Sequence, residues 1–136
     1  MKFTDFNQSI WNETSAYYDT CVIPYSGLTG NETPPRVVQL LSGLKERLEW
    51  IEVPFKGRVI TYPALQYCFE GFSEFTNYLI NNLRSVGFKF VILVVAPSVI
   101  IKQECAFDLV IDDRNDDSAK CKEEILQLWR KDVSNL

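Results

Sequence analysis

The sequence predicts an α/β domain of three layers, with about four mostly parallel strands between helices in a Rossmann-like or flavodoxin-like layout. Three observations carry this prediction. Short β-branched stretches alternate with amphipathic helical patterns, the order that builds a parallel sheet through crossover helices. One stretch, Phe88–Val95, is apolar almost without a break, as a central strand covered on both faces must be. The 136 residues, 46% hydrophobic and 24% charged, suit one core, so residues 1–136 read as a single domain.

Each element has its own justification. Phe6, Ile10 and Tyr17 fall at near-helical spacing within residues 4–18, predicting a first amphipathic helix. The period then shortens. Thr20–Tyr25 is apolar and β-branched and carries Pro24 near its end, which predicts a buried strand. The loop from Ser26 to Asn31 leads to Thr33, placed to cap a helix whose first turn accepts Pro34. Val37, Leu41, Leu44 and Leu48 form the expected inward stripe of that helix, with Lys45, Glu46, Arg47 and Glu49 off it. Residues 58–62 predict a second strand stopped by Pro63, and 64–71 read as loop. Ser73 is the expected cap of the next helix, which turns Phe75, Leu79, Leu83 and Val86 inward and ends at Gly87. After Phe88–Val95 comes an irregular or helical turn over Ser98–Cys105, a strand over 107–112, and a last helix capped by Asp117 or Ser118. That helix points Cys121, Ile125, Leu128 and Trp129 inward.

Composition narrows the function. The chain has no histidine, which removes the usual general base near neutral pH and the commonest metal ligand. A net charge of −4 without a dense basic cluster disfavours nucleic acid and anionic membrane surfaces as partners. The apolar runs are too short to span a bilayer and the first residues lack a signal-peptide core, so the expected location is the cytoplasm. There the four cysteines stay reduced and the sequons at Asn7, Asn12 and Asn31 carry no glycan. No cofactor is implied. Aromatic residues make up 13%; Trp11, Tyr17, Tyr18, Trp50 and Phe55 are candidates for a partner contact, against the favoured reading of core packing.

In such sheets ligands sit beyond the carboxyl ends of the strands, here the edge built from 25–33, 62–72, 96–98 and 112–118. Its polar candidates are Ser26, Gly27, Thr29, Gly30, Asn31, Tyr62, Gln66 and Ser98. Gly27–Gly30 precedes a helix N-terminus, a place for an anion, but it has neither nucleotide-binding fingerprint. Asp113, Asn115, Asp117 and Glu124 follow the oxygen spacing of a calcium loop, yet Ser118 stands where the sharp turn requires glycine. A solvated acidic loop that caps the last helix is the favoured reading, so no metal is expected. Cys68 is the one thiol predicted on the ligand edge, and a passive cysteine is the favoured reading.

Tyr18-Asp19-Thr20 running into Val22-Ile23-Pro24, followed by Phe55-Lys56-Gly57-Arg58-Val59 and then Pro63, resembles the YpiF family of short Firmicute proteins over about residues 1–97. The resemblance implies a bacterial cytoplasmic protein and supplies no activity. Val22-Ile23-Pro24, and Ser85-Val86-Gly87-Phe88 leading into Val91–Val94, are more faintly similar to the creatininase-type amidohydrolases. There Thr29 and Asn31 replace the family's Glu and His, and Ala96-Pro97-Ser98 replaces its His-Gly-Gly turn, so this likeness implies a scaffold without metal ligands. The sequence leans away from an enzyme. It favours a protein-association module, homo-oligomeric or joined to another protein, with a small-molecule or anion binder at the strand-end crevice as the alternative.

Overall fold

The computed structural model describes residues 5–101 and 105–134, with side chains as far as residue 132. In chain order they form α1 (Gln8–Thr14), β1 (Thr20–Leu28), α2 (Pro34–Glu52), β2 (Val59–Thr61), β3 (Leu65–Tyr67), α3 (Phe72–Val86), β4 (Phe90–Val95), β5 (Leu109–Ile111) and α4 (Ser118–Ser134). Every strand pair is parallel, and the order across the sheet is β2-β1-β4-β5, with β3 also on β1. This is the predicted α/β three-layer arrangement.

β2 and β3 are two pieces of one edge. Thr20–Val22 pair with Val59–Thr61, and further along the same strand Tyr25 pairs with Leu65 and Leu28 with Tyr67. The break falls at Pro63, which has no N–H to give. Pro24 lies opposite it: Val22 and Leu28 accept from Tyr62 and Cys68 on that side, whereas Tyr25 accepts from Ala96 on the β4 side. By that alternation Pro24 turns its missing donor toward the gap in the edge, so proline sits in an interior strand without orphaning a partner. Residues 64–71 read as loop in the sequence because the three residues of β3 are too few to show a strand period.

Alternation along β4 divides the core. Phe90, Ile92 and Val94 join Val22, Leu40, Leu44, Ile51, Cys121, Ile125 and Trp129 under α2 and α4. Val91, Leu93 and Val95 join Cys21, Ile23, Tyr25, Phe72, Ile80 and Leu83 under α3, with Trp11 of α1 packed at its margin. All six β4 residues are buried, as the unbroken apolar run predicted.

The helix stripes needed correction. α2 buries Leu40, Leu44, Arg47 and Ile51; of the expected stripe Val37, Leu44 and Leu48 pack on the core, but Leu41 is exposed and the centre of the face falls on Leu40 and Arg47. α3 buries Phe72, Thr76, Ile80 and Leu83, with Leu79 packed against the same core as expected, while Phe75 and Val86 face outward; Gly71, not Ser73, is its N-cap. α1 is shorter than residues 4–18, of which residue 4 lies outside the described ones. Tyr17 is 69% exposed and Tyr18 is buried against Phe6, because the chain has already left the helix there. Within 98–105, residues 98–101 form an irregular strap and 102–104 lie outside the described residues.

Candidate functional site

A crevice of about 540 Å³ opens at the carboxyl ends of β1, β3 and β4. It stands where β1 leads out to the β2/β3 edge and β4 continues to β5 on the other side, the switch point at which sheets of this kind take ligands. Its volume lies in the range of small-molecule sites. Tyr25, Leu40, Phe69, Phe72, Val99, Ile100 and Ile101 supply an apolar wall, and Thr29, Glu32, Arg36, Cys68, Glu70 and Ser98 supply its polar groups. The rings of Tyr25 and Phe72 lie 4.8 Å apart, and Phe69 meets both Phe72 and Phe75 at 5.8 Å. Phe69, Phe75 and Ile100 are exposed around this mouth. Burial and the neighbouring Cys68 push the Tyr25 phenol up.

Of the residues chosen from sequence, Gly27, Thr29, Ser98 and Cys68 line the crevice. Gly30 and Asn31 are exposed beside it. Ser26 is fully buried, its hydroxyl shared between the backbone carbonyl of Gln66 at 2.8 Å and that residue's side-chain oxygen at 2.9 Å. That pair fastens β3 to β1. Tyr62 lies on the α3 face, edge-on to Phe88, in a separate depression with Trp11 and Val86.

The anion seat expected at 27–31 is filled by the chain itself. The Glu32 carboxylate accepts from the Thr29 amide at 3.0 Å, the Gly30 amide at 3.0 Å and the Thr29 hydroxyl at 2.8 Å. The hydroxyl bond first, and then the backbone amides, hold Glu32 below the ordinary carboxylate range. Pro34 and Pro35 follow, so two of the first positions of α2 have no N–H to offer. A signal for this was present: Thr29-x-x-Glu32 has capping-box spacing.

Arg47 is the residue that sequence reasoning placed on the wrong face. Its side chain is 1% exposed, yet it carries a full charge. Nη1 donates to the Val95 carbonyl at 2.7 Å, and Nη2 donates to Asp113 at 2.6 Å and to Asp116 at 3.0 Å. It therefore ties α2 to the end of β4 and to the 3₁₀ turn Asp113–Asn115 that follows β5. Asp113 also accepts from the Ser98 amide at 3.2 Å. Its bond to Arg47 holds this carboxyl below its ordinary value, with the Ser98 amide adding to the effect.

These contacts disperse the calcium-type spacing. Asp113 turns to Arg47, Asn115 accepts from the Asp112 amide, and Asp117 accepts from the Lys120 amide as the cap of α4. Glu124 lies beyond that cap, within α4. Among the described residues no three His, Cys, Asp or Glu side chains gather as a metal site, and no helix is long and apolar enough to cross a membrane.

Asp19, Thr20, Phe55, Arg58 and Trp129 meet at the opposite, amino-terminal edge of the sheet. Arg58 forks onto Asp19 at 2.9 and 3.0 Å and lies 3.8 Å from the centroid of the Trp129 ring. The Trp129 indole donates to Thr20 at 3.0 Å, and its ring meets Phe55 edge-on at 4.8 Å. That cluster is a clamp between β1, the start of β2 and α4, away from the crevice.

The fold defines an α/β domain with an open crevice at its strand ends. Comparison with family models, curated proteins and solved structures found no match.

Proposed function

We propose that this chain is a non-catalytic binding domain whose crevice takes a small ligand with an apolar body and no net negative charge. The single observation that carries the reading is the closure of the loop amides by Glu32 beside an apolar wall. The donors that would have served an anion are used internally, while Tyr25, Leu40, Phe72 and Val99 remain available to an aliphatic or aromatic group. Glu70 adds a second carboxylate against the single Arg36, so the lining favours a neutral or cationic head. The absence of histidine from the sequence supports binding without general-base chemistry.

A thermal-shift series with octylamine, octanol and octanoate tests this. Octylamine and octanol raise the melting temperature and octanoate does so least. A ligand at a hundred times its Kd adds about 2.7 kcal/mol, or roughly 8–10 °C for a chain of this size. The reverse order, with octanoate strongest, would sink the reading.

The exposed rings favour a second reading, the association module. Phe69, Phe75 and Ile100 at the mouth, and Tyr67 near it, form an apolar rim that suits a contact with a second protein chain. Concentration-dependent sedimentation that Phe69→Ser abolishes would favour it over the small ligand. A bacterial cytoplasmic setting goes with the YpiF resemblance and is proposed on that ground alone. The creatininase-type likeness contributes no reaction.

A further inference from the structure

We propose that residues 97–101 form a movable partition across the carboxyl edge of the sheet, latched by Arg47 through Asp113. The inference rests on the crevice reading above and concerns how that crevice changes size. Three consecutive residues are each held by a different element. Pro97 packs against Gly43 of α2, where an added Cβ would lie 2.5 Å from Pro97 Cγ. The Ser98 amide is held by Asp113, which Arg47 holds in turn. Val99 sits on Gly27 of β1 so closely that a Cβ there would overlap its Cγ1.

Between these fitted neighbours Ser98 has φ 71°, the one positive φ of a non-glycine among the described residues. Such a backbone is costly for an L-residue and persists only where its surroundings impose it. Release of the latch would therefore be helped by relaxation of Ser98.

What lies on either side gives the partition its consequence. Val99, Ile100 and Ile101 line the crevice of about 540 Å³ and also a neighbouring cavity of about 420 Å³ beside Cys105, Val110 and Asp112–Arg114. One strap is the common wall of both. Lifted off Gly27 and Gly43, it joins them into a single longer site; latched, it confines the ligand to the smaller seat. The Asp113 carboxyl is ionised at neutral pH with or without Arg47, which lowers it further, so release is by ligand and not by a proton.

Two variants loosen the strap by unrelated means. Asp113→Asn removes the charge that holds Ser98 and leaves Asp116 paired with the buried Arg47. Gly43→Ala leaves every charge in place, improves helix propensity and pushes on Pro97. Amide hydrogen exchange is read at Ser98 and Val99 and, for comparison, at Val91–Val95. Both variants are expected to speed exchange at 98 and 99 by at least roughly tenfold while β4 stays within about twofold of the parent chain. Both should also speed dissociation of octylamine. Exchange at 98 and 99 that stays at the parent rate, or that rises equally along β4, overturns the partition. Failure of the parent chain to bind octylamine sinks the crevice reading instead and leaves the exchange result standing.

Discussion

Replacing Arg58 by methionine separates the edge that holds this fold together from the edge that binds. Methionine keeps an unbranched apolar stem and deletes the guanidinium, and with it two contacts. The fork onto Asp19 is partly exposed, at 40% for Arg58 and 24% for Asp19, so it contributes about 0.5–1 kcal/mol. The stacking at 3.8 Å over Trp129 adds about 0.5–1.5 kcal/mol, since that ring is largely buried. Together the loss is about 1–2.5 kcal/mol, or roughly 3–9 °C in melting temperature for 136 residues. Urea unfolding measures it, and a double-mutant cycle with Asp19→Asn isolates the ion pair. Asparagine keeps an oxygen for the Thr20 hydroxyl, which now donates to Asp19 at 2.9 Å. The coupling energy should fall in salt, while octylamine affinity at the distant crevice stays at the parent value. An Arg58→Met chain within about 0.5 kcal/mol of the parent, ordinary for a surface substitution, would refute the clamp. A loss of octylamine binding without a loss of stability would refute the division of labour between the edges.

Three further outcomes follow from single sites. Glu32→Ala frees the Thr29 and Gly30 amides, so it should gain weak sulfate or phosphate binding by calorimetry; equal anion binding by the parent chain would contradict the internal capping. Burial pushes the Cys21 thiol up to about 12 and Cys121 up to about 11, and it also raises Cys105. Alkylation of the folded chain at pH 8 should therefore reach exposed Cys68 first, and Cys21 and Cys121 only on unfolding. The Asp113 carboxyl is depressed below 3.8, so the stability it adds is complete above that value and is lost as pH falls through its lower folded value. Asp113→Asn should flatten part of the acid limb of a pH–stability curve and leave the neutral region without slope. An unchanged acid limb would show that the pair with Arg47 adds nothing.

Layer order and strand direction were legible because they depend on patterns that many residues repeat. The apolar run of β4, the change of period at Thr20 and the end signals of α3 at Glu74, Arg84 and Gly87 each state one thing several times. The face of α2 was not legible. Positions 37, 41, 44, 48 and positions 40, 44, 47, 51 have the same steps of four, three and four, and only a partner distant in sequence decides between them. That partner is the carboxylate pair at Asp113 and Asp116, together with the Val95 carbonyl. A binary pattern rejects arginine from the core because it counts the charge and not the bonds made by Nη1 and Nη2, which here outweigh a buried Nε without a partner. β3 escaped notice because Leu65–Tyr67 is a strand only by its contact with β1. The crevice lies at the sheet edge that topology picks out, and Gly27, Thr29, Ser98 and Cys68 line it. Its apolar wall was hidden, since Phe69, Phe72 and Val99–Ile101 are ordinary hydrophobic letters until the strap and α3 face each other.

Methyl and amide chemical-shift mapping of the parent chain titrated with octylamine tests the account most directly. It predicts saturable shifts confined to Tyr25, Leu40, Phe72 and Val99–Ile101, with the Asp19–Arg58–Trp129 edge unmoved. Shifts centred on that opposite edge, or no saturable shift at Leu40 and Val99, would contradict it.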